Sequence, residues 1–96
     1  MNRAEVLEQL ARNKPTLVAR YGVDHLGLFG STVRDAARAD SDIDILVSFD
    51  GPATSERYFG VQFYVEDWLG RPVDLVIDKA LRPELRPFIE REAVHV

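Results

Sequence analysis

The segment Asp42 to Phe49 alternates with a period of two. Ile43, Ile45, Val47 and Phe49 make one apolar face of a strand, while Asp42, Asp44, Leu46 and Ser48 make the other. Asp50-Gly51-Pro52 ends the run. A strand of this kind buries one face and carries carboxylates on the opposite one. Asp42 and Asp44 point the same way, and two ionised carboxylates that close repel unless a cation sits between them. Hard oxygen ligands suit Mg²⁺ or Mn²⁺.

Upstream of Asp42, after a gap of ten residues, stands Gly30-Ser31. It closes the apolar stretch His25 to Gly30, which reads as a short strand. Gly30 lets the backbone approach a ligand because it has no side chain. Ser31 offers a hydroxyl and a backbone N–H at the start of a helix expected over residues 32–37. Free N–H groups and the helix dipole favour anions there. Arg34 lies one helical turn along, placed to neutralise a leaving pyrophosphate. A phosphate-binding turn beside a divalent-metal clamp is the equipment for phosphoryl or nucleotidyl transfer.

The remaining pattern supplies a frame. Asn2 and Glu5 form a capping box, and Val6, Leu7 and Leu10 follow at helical spacing. Pro15 is expected to open a second short helix with Leu17, Val18 and Tyr21, closed by Gly22. Residues 39–41 read as a loop. Ser55 to Leu69 is too long for a strand and reads as a helix ended by Gly70 and Pro72. Val73 to Asp78 is a third strand, apolar at Val73, Leu75 and Ile77, with Asp74 opposite. Pro83 to Glu92 reads as helical, and Pro87 is tolerable there only in the first turn. The long helix between the second and third strands suits a crossover joining parallel neighbours. Adjacent strands would bring Asp74 into the space of Asp42 and Asp44, where it completes the metal site and takes the acceptor's proton.

Ninety-six residues make one domain, expected over residues 1–96. The absence of cysteine excludes disulfide scaffolds, thiolate metal sites and cysteine nucleophiles. A formal net charge of −4 argues against direct grip on nucleic acid. No apolar run is long enough to span a bilayer, and Met1 to Gln9 lacks the apolar block of a secretory signal. The expectation is a cytoplasmic protein without a membrane partner.

Gly30-Ser31, Arg34, Ser41, Asp42-x-Asp44 and Val73-Asp74-Leu75-Val76 together resemble the minimal nucleotidyltransferases of the DNA polymerase beta superfamily. The MntA-type antitoxins that accompany HEPN-domain toxins are the subgroup most like it. The likeness runs from the first helix to Val96, although Val33 and Asp35 flank Arg34 where many relatives carry small residues. It implies an α/β (α+β) fold: a small mixed sheet of three to four strands flanked by helices. It implies Asp42, Asp44 and Asp74 as the catalytic, metal-binding carboxylates, and Gly30, Ser31 and Arg34 as the nucleotide site. It further implies transfer of AMP from ATP to a tyrosine of a partner HEPN toxin, silencing a ribonuclease.

Blander readings stand beside these. Asp42 and Asp44 would serve a plain strand as a solubilising pair, Asp74 as an edge residue, Ser31 as a helix cap only, and Arg34 as a solvated residue. A non-catalytic antitoxin that masks its partner is the alternative function. His25 and His95 lack a metal-ligand partner at helical or hairpin spacing and read as structural or surface residues. Tyr58, Phe59, Phe63, Tyr64 and Trp68 are core by default. Together with Val61, Val65 and Leu69, however, they cannot share one helix face. A partner protein or a homo-oligomer is the expected cover for the excess.

Overall fold

The computed structural model describes residues 2–34 and 41–96. Three helices flank a four-stranded mixed sheet. Helix α1 is Arg3–Tyr21, α2 is Ser55–Leu69 and α3 is Arg86–Glu92. The strands are β1 (Val23–Phe29), β2 (Ile43–Phe49), β3 (Val73–Ile77) and β4 (Val94–His95), in the spatial order β3-β2-β1-β4. β2 and β3 run parallel, joined by α2 as the crossover, while β1 is antiparallel to both β2 and β4.

The period-two pattern explains the layering. Register pairs Leu26 with Val47 and Leu28 with Ile45 on one side of β2, and Val73 with Ile43 and Leu75 with Ile45 on the other. These side chains share a face and pack on Val6, Leu10 and Leu17 of α1 and Val61 and Val65 of α2, all buried. Each fully buried aliphatic side chain contributes about 1.5–3 kcal/mol. His25, Gly27 and Phe29 pair with Ser48, Leu46 and Asp44, and therefore lie on the second face with Asp74 and Val76. A register shift between Val23 and His25 keeps Val23 in the core despite the even spacing.

Helix boundaries follow local chemistry. Asn2 and Glu5 make the expected reciprocal cap, with Glu5 N–H donating to Asn2 Oδ1 at 2.9 Å. Gly22 and Gly70 close α1 and α2 in the left-handed conformation, at φ of 70° and 69°. The expected break at Pro15 does not occur, since α1 runs unbroken through it. Leu10 and Leu17 are both fully buried and lie on either side of the proline, so packing holds one axis. Pro15 and Ala11 are exposed, which leaves the orphaned Ala11 carbonyl to water.

Other boundaries move. β1 starts at Val23 and ends before Gly30, two residues earlier than the spacing suggested at its start. Ser31 lies inside a 3-10 turn, Gly30–Thr32, whose cap position is Phe29. Residues 35–37 of the expected helix, and residues 39 and 40 of the expected loop, lie outside the described residues. α3 begins at Arg86, which places Pro87 in its first turn. β4 was not expected; its two residues pair with Gly27 and Leu28.

The β3 edge of the sheet is covered by α2. Glu66 accepts from Val73 N–H at 2.9 Å, Gln62 Nε2 donates to the Val73 carbonyl at 3.4 Å, and Tyr58 Oη donates to the Leu75 carbonyl at 2.7 Å. These side chains recur every four residues, one stripe of the helix laid along the strand. The aromatic set divides: Tyr58, Tyr64 and Trp68 pack against the core, whereas Phe59 and Phe63 stack on each other in the open, 47% and 61% exposed.

Candidate active site

Asp44 and Asp74 are direct neighbours across the parallel β2–β3 pair. Their side chains leave the sheet on the face away from the core and meet in hydrogen-bonding contact. The Asp44 carboxyl is pushed up from 3.8 to about 6. Burial is the largest cause, followed by the charge and hydrogen bond of Asp74 and then by the like charges of Asp42 and Glu92. The pair shares a proton when Asp44 is protonated and repels when both carboxyls ionise, and a bound cation relieves that repulsion.

Asp42 is exposed and lies just before β2, close enough to act on Asp44 electrostatically. The chain around it is tied down from both sides. Arg71 donates to the Ser41 carbonyl, and Ile43 N–H donates to the Pro72 carbonyl at 3.0 Å. The close pair is thus Asp44 with Asp74, reached through the crossover, and Asp42 stands at its rim. Among the described residues no three His, Cys, Asp or Glu side chains are already gathered as a metal cage.

Gly30 faces this pair. Its φ is +77°, and a Cβ built on it would fall 2.0 Å from Asp44 Oδ2. The turn therefore requires glycine twice over, for its backbone angle and for the carboxylate lying across it. Arg34 N–H bonds to the Gly30 carbonyl at 3.4 Å, and Arg3 Nη1 ties the Val33 carbonyl to the start of α1 at 3.3 Å. Thr32 is 2% exposed, and its Oγ1 has no hydrogen-bond partner among the described residues.

The Arg34 side chain pairs with Glu92 at the end of α3. Sequence reasoning missed Glu92. It lies 58 residues from Arg34 in a stretch whose only local signal is a charged helix end, so no spacing rule could have joined the two.

The hard oxygen donors and the up-shifted Asp44 fit a divalent cation such as Mg²⁺ or Mn²⁺. Asp44 and Asp74 would hold it, with Asp42 at reach. The Gly30 turn packs against Asp44, and the β2–β3 pairing places Asp74 beside it, so a close backbone approach and two carboxylates meet on one face of the sheet.

Residues 5–96 match the family model for the nucleotidyltransferase domain, and the chain belongs to that family. The protein adenylyltransferase MntA of Thermococcus cleftensis is 38% identical over 92 residues, covering 96% of this chain and 93% of the relative. A solved structure of a proposed minimal nucleotidyltransferase, 38% identical, superposes with a TM-score of 0.80 over 98% of this chain and 95% of its own. A chain of the solved complex between the tri-AMPylated Shewanella oneidensis HEPN toxin and its MNT antitoxin matches with a TM-score of 0.60 at 20% identity. That match covers 98% of this chain and 67% of the other. At that identity, it shows the fold alone.

Proposed function

We propose that this chain is a Mg²⁺-dependent protein adenylyltransferase that moves AMP from ATP onto a hydroxyl, a tyrosine, of a partner HEPN-type toxin and so acts as its antitoxin. The observation that carries this reading is the Asp44–Asp74 contact facing Gly30. The relatives point the same way: MntA of Thermococcus cleftensis is named a protein adenylyltransferase, and the Shewanella oneidensis toxin beside its antitoxin is tri-AMPylated. Asp42, Asp44 and Asp74 are the catalytic, metal-holding carboxylates. Gly30, Ser31 and Arg34 receive the nucleotide phosphates. Residues 1–96 act as one domain, in the cytoplasm, on a protein rather than a nucleic acid.

The roles follow from chemistry. Backbone N–H groups of the Gly30–Thr32 turn and the Ser31 hydroxyl supply donors to an incoming phosphate. The acceptor oxygen attacks the α-phosphorus of ATP, the bond from that phosphorus to the bridging oxygen breaks, and pyrophosphate departs. Asp74 takes the hydroxyl proton. Arg34 exchanges Glu92 for the charge developing on pyrophosphate. A bound divalent cation supplies Lewis-acid stabilisation of the phosphate oxygens.

The competing reading is a masking antitoxin, and the exposed Phe59–Phe63 stack favours it as a surface for a partner or a second copy. One experiment separates the two. The chain is incubated with Mg²⁺, labelled ATP and the HEPN-type protein encoded beside it, as wild type and as Asp42→Asn/Asp44→Asn. Label on the partner with wild type alone, and loss of neutralisation by a variant that still forms the complex, establish transfer. Full neutralisation by the variant establishes masking.

A further inference from the structure

The sheet face that carries Asp44 and Asp74 runs on into a cavity of about 310 Å³, lined by His25, Leu46, Ser48, Asp78, Glu90 and His95. His25 and Ser48 are cross-strand partners on β1 and β2, and His95 of β4 stands beside Gly27. A Cβ on Gly27 would come within 3.1 Å of His95 Nδ1, so the glycine leaves room for the ring. Arg86 Nη1 lies 3.2 Å from both Asp78 and Glu90. Asp78, Glu90 and Arg86 together carry a net formal charge of −1. Ser48 is only 8% exposed, yet its Oγ has no hydrogen-bond partner among the described residues. A buried hydroxyl without a partner is an unmet demand.

We infer that this cleft seats a basic side chain, lysine or arginine, of the acceptor protein, and so selects which hydroxyl reaches Asp44 and Asp74. The inference rests on the adenylyl-transfer reading above. An N–H-rich cation answers the surplus carboxylate charge and an imidazole nitrogen, above a floor that holds the buried Ser48 hydroxyl. Leu46 offers an apolar wall to the aliphatic stem. Leu46 and Ser48 lie two and four residues beyond Asp44 on β2, roughly 7 and 13 Å along the strand. An extended acceptor segment therefore carries its basic residue two to four positions from the modified hydroxyl.

The test uses the full chain, the HEPN-type protein encoded beside it, and two variants. Glu90→Gln removes one charge from the cleft. Glu8→Gln removes one from α1, on the opposite side of the sheet. The expected result is a rise of about fivefold in acceptor KM for Glu90→Gln, with kcat and the KM for ATP held and Glu8→Gln unchanged. Mass spectrometry is expected to find a lysine or arginine two to four residues from the labelled hydroxyl. Changing it to Gln has an effect that does not add to Glu90→Gln. An unchanged acceptor KM, a modified site without that basic neighbour, additive effects, or a rise in the KM for ATP instead overturns the assignment. Complex affinity, measured without nucleotide at low and high salt, keeps the two proposals apart. Glu90-dependent affinity without label transfer sustains the seat and defeats the enzyme reading. Label transfer indifferent to Glu90 does the reverse.

Discussion

Replacing Asp44 with Asn is expected to stabilise the metal-free protein at neutral pH. The Asp44 carboxyl titrates near 6 in the fold, against 3.8 in the unfolded chain. The folded state therefore holds this proton more tightly than the unfolded one. The associated stability is complete below pH 3.8 and is lost as pH rises through 6. Holding the proton that much more tightly corresponds to roughly 3 kcal/mol. Asp44 is partly open to solvent, and screening brings this to about 1–2 kcal/mol. Asn keeps the shape and hydrogen-bonds Asp74 without ionising. Thermal melts followed by circular dichroism in EDTA are expected to place Asp44→Asn roughly 5–10 °C above wild type at pH 7.5. The gap closes toward pH 4. Mg²⁺ without nucleotide is expected to raise the wild-type midpoint and leave the variant nearly still. A variant that melts at or below wild type at pH 7.5, or a gap indifferent to pH, refutes the reasoning.

Gly30→Ala forces a methyl to 2.0 Å from Asp44 Oδ2 at a φ of +77°. The expected cost is about 2 kcal/mol or more, read as a lowered melting midpoint together with loss of label transfer. Tyr58→Phe deletes the donor to the Leu75 carbonyl. It is expected to cost about 1 kcal/mol and to speed amide exchange along β3 while transfer continues. Leu10→Ala hollows a fully buried position between α1 and the sheet. A loss of about 2–5 kcal/mol in urea unfolding is expected, with the slope of the transition unchanged.

Much of the architecture was legible because its signals are periodic. The alternation from Ile43 to Phe49 located β2, and the length of the stretch Ser55 to Leu69 with Gly70 after it located α2. The length of α2 foretold a parallel β2–β3 neighbour, and that pairing brings Asp44 to Asp74. The rest depends on contacts distant in sequence. The continuity of α1 through Pro15 is decided by burial of Leu10 and Leu17, which outweighs a local helix breaker. β4 is two residues long, too short for any period to register. The link from Arg34 to Glu92 joins residues 58 apart in the chain, and neither residue announces the other. Asp42 and Asp44 share a strand parity, but the partner in contact with Asp44 is Asp74, because Asp42 precedes the ladder and stays in solvent.

The stripe of Tyr58, Gln62 and Glu66 has a consequence for how this molecule meets others. Those side chains already occupy outward-facing backbone groups of Val73 and Leu75. No foreign chain can extend the sheet there without first prising α2 away. Recognition at that border is thereby shifted from generic main-chain pairing, open to almost any extended peptide, to the shape and charge of the two sheet faces and helix surfaces. A protein this small gains selectivity from a closed border, since strangers find no ladder to climb.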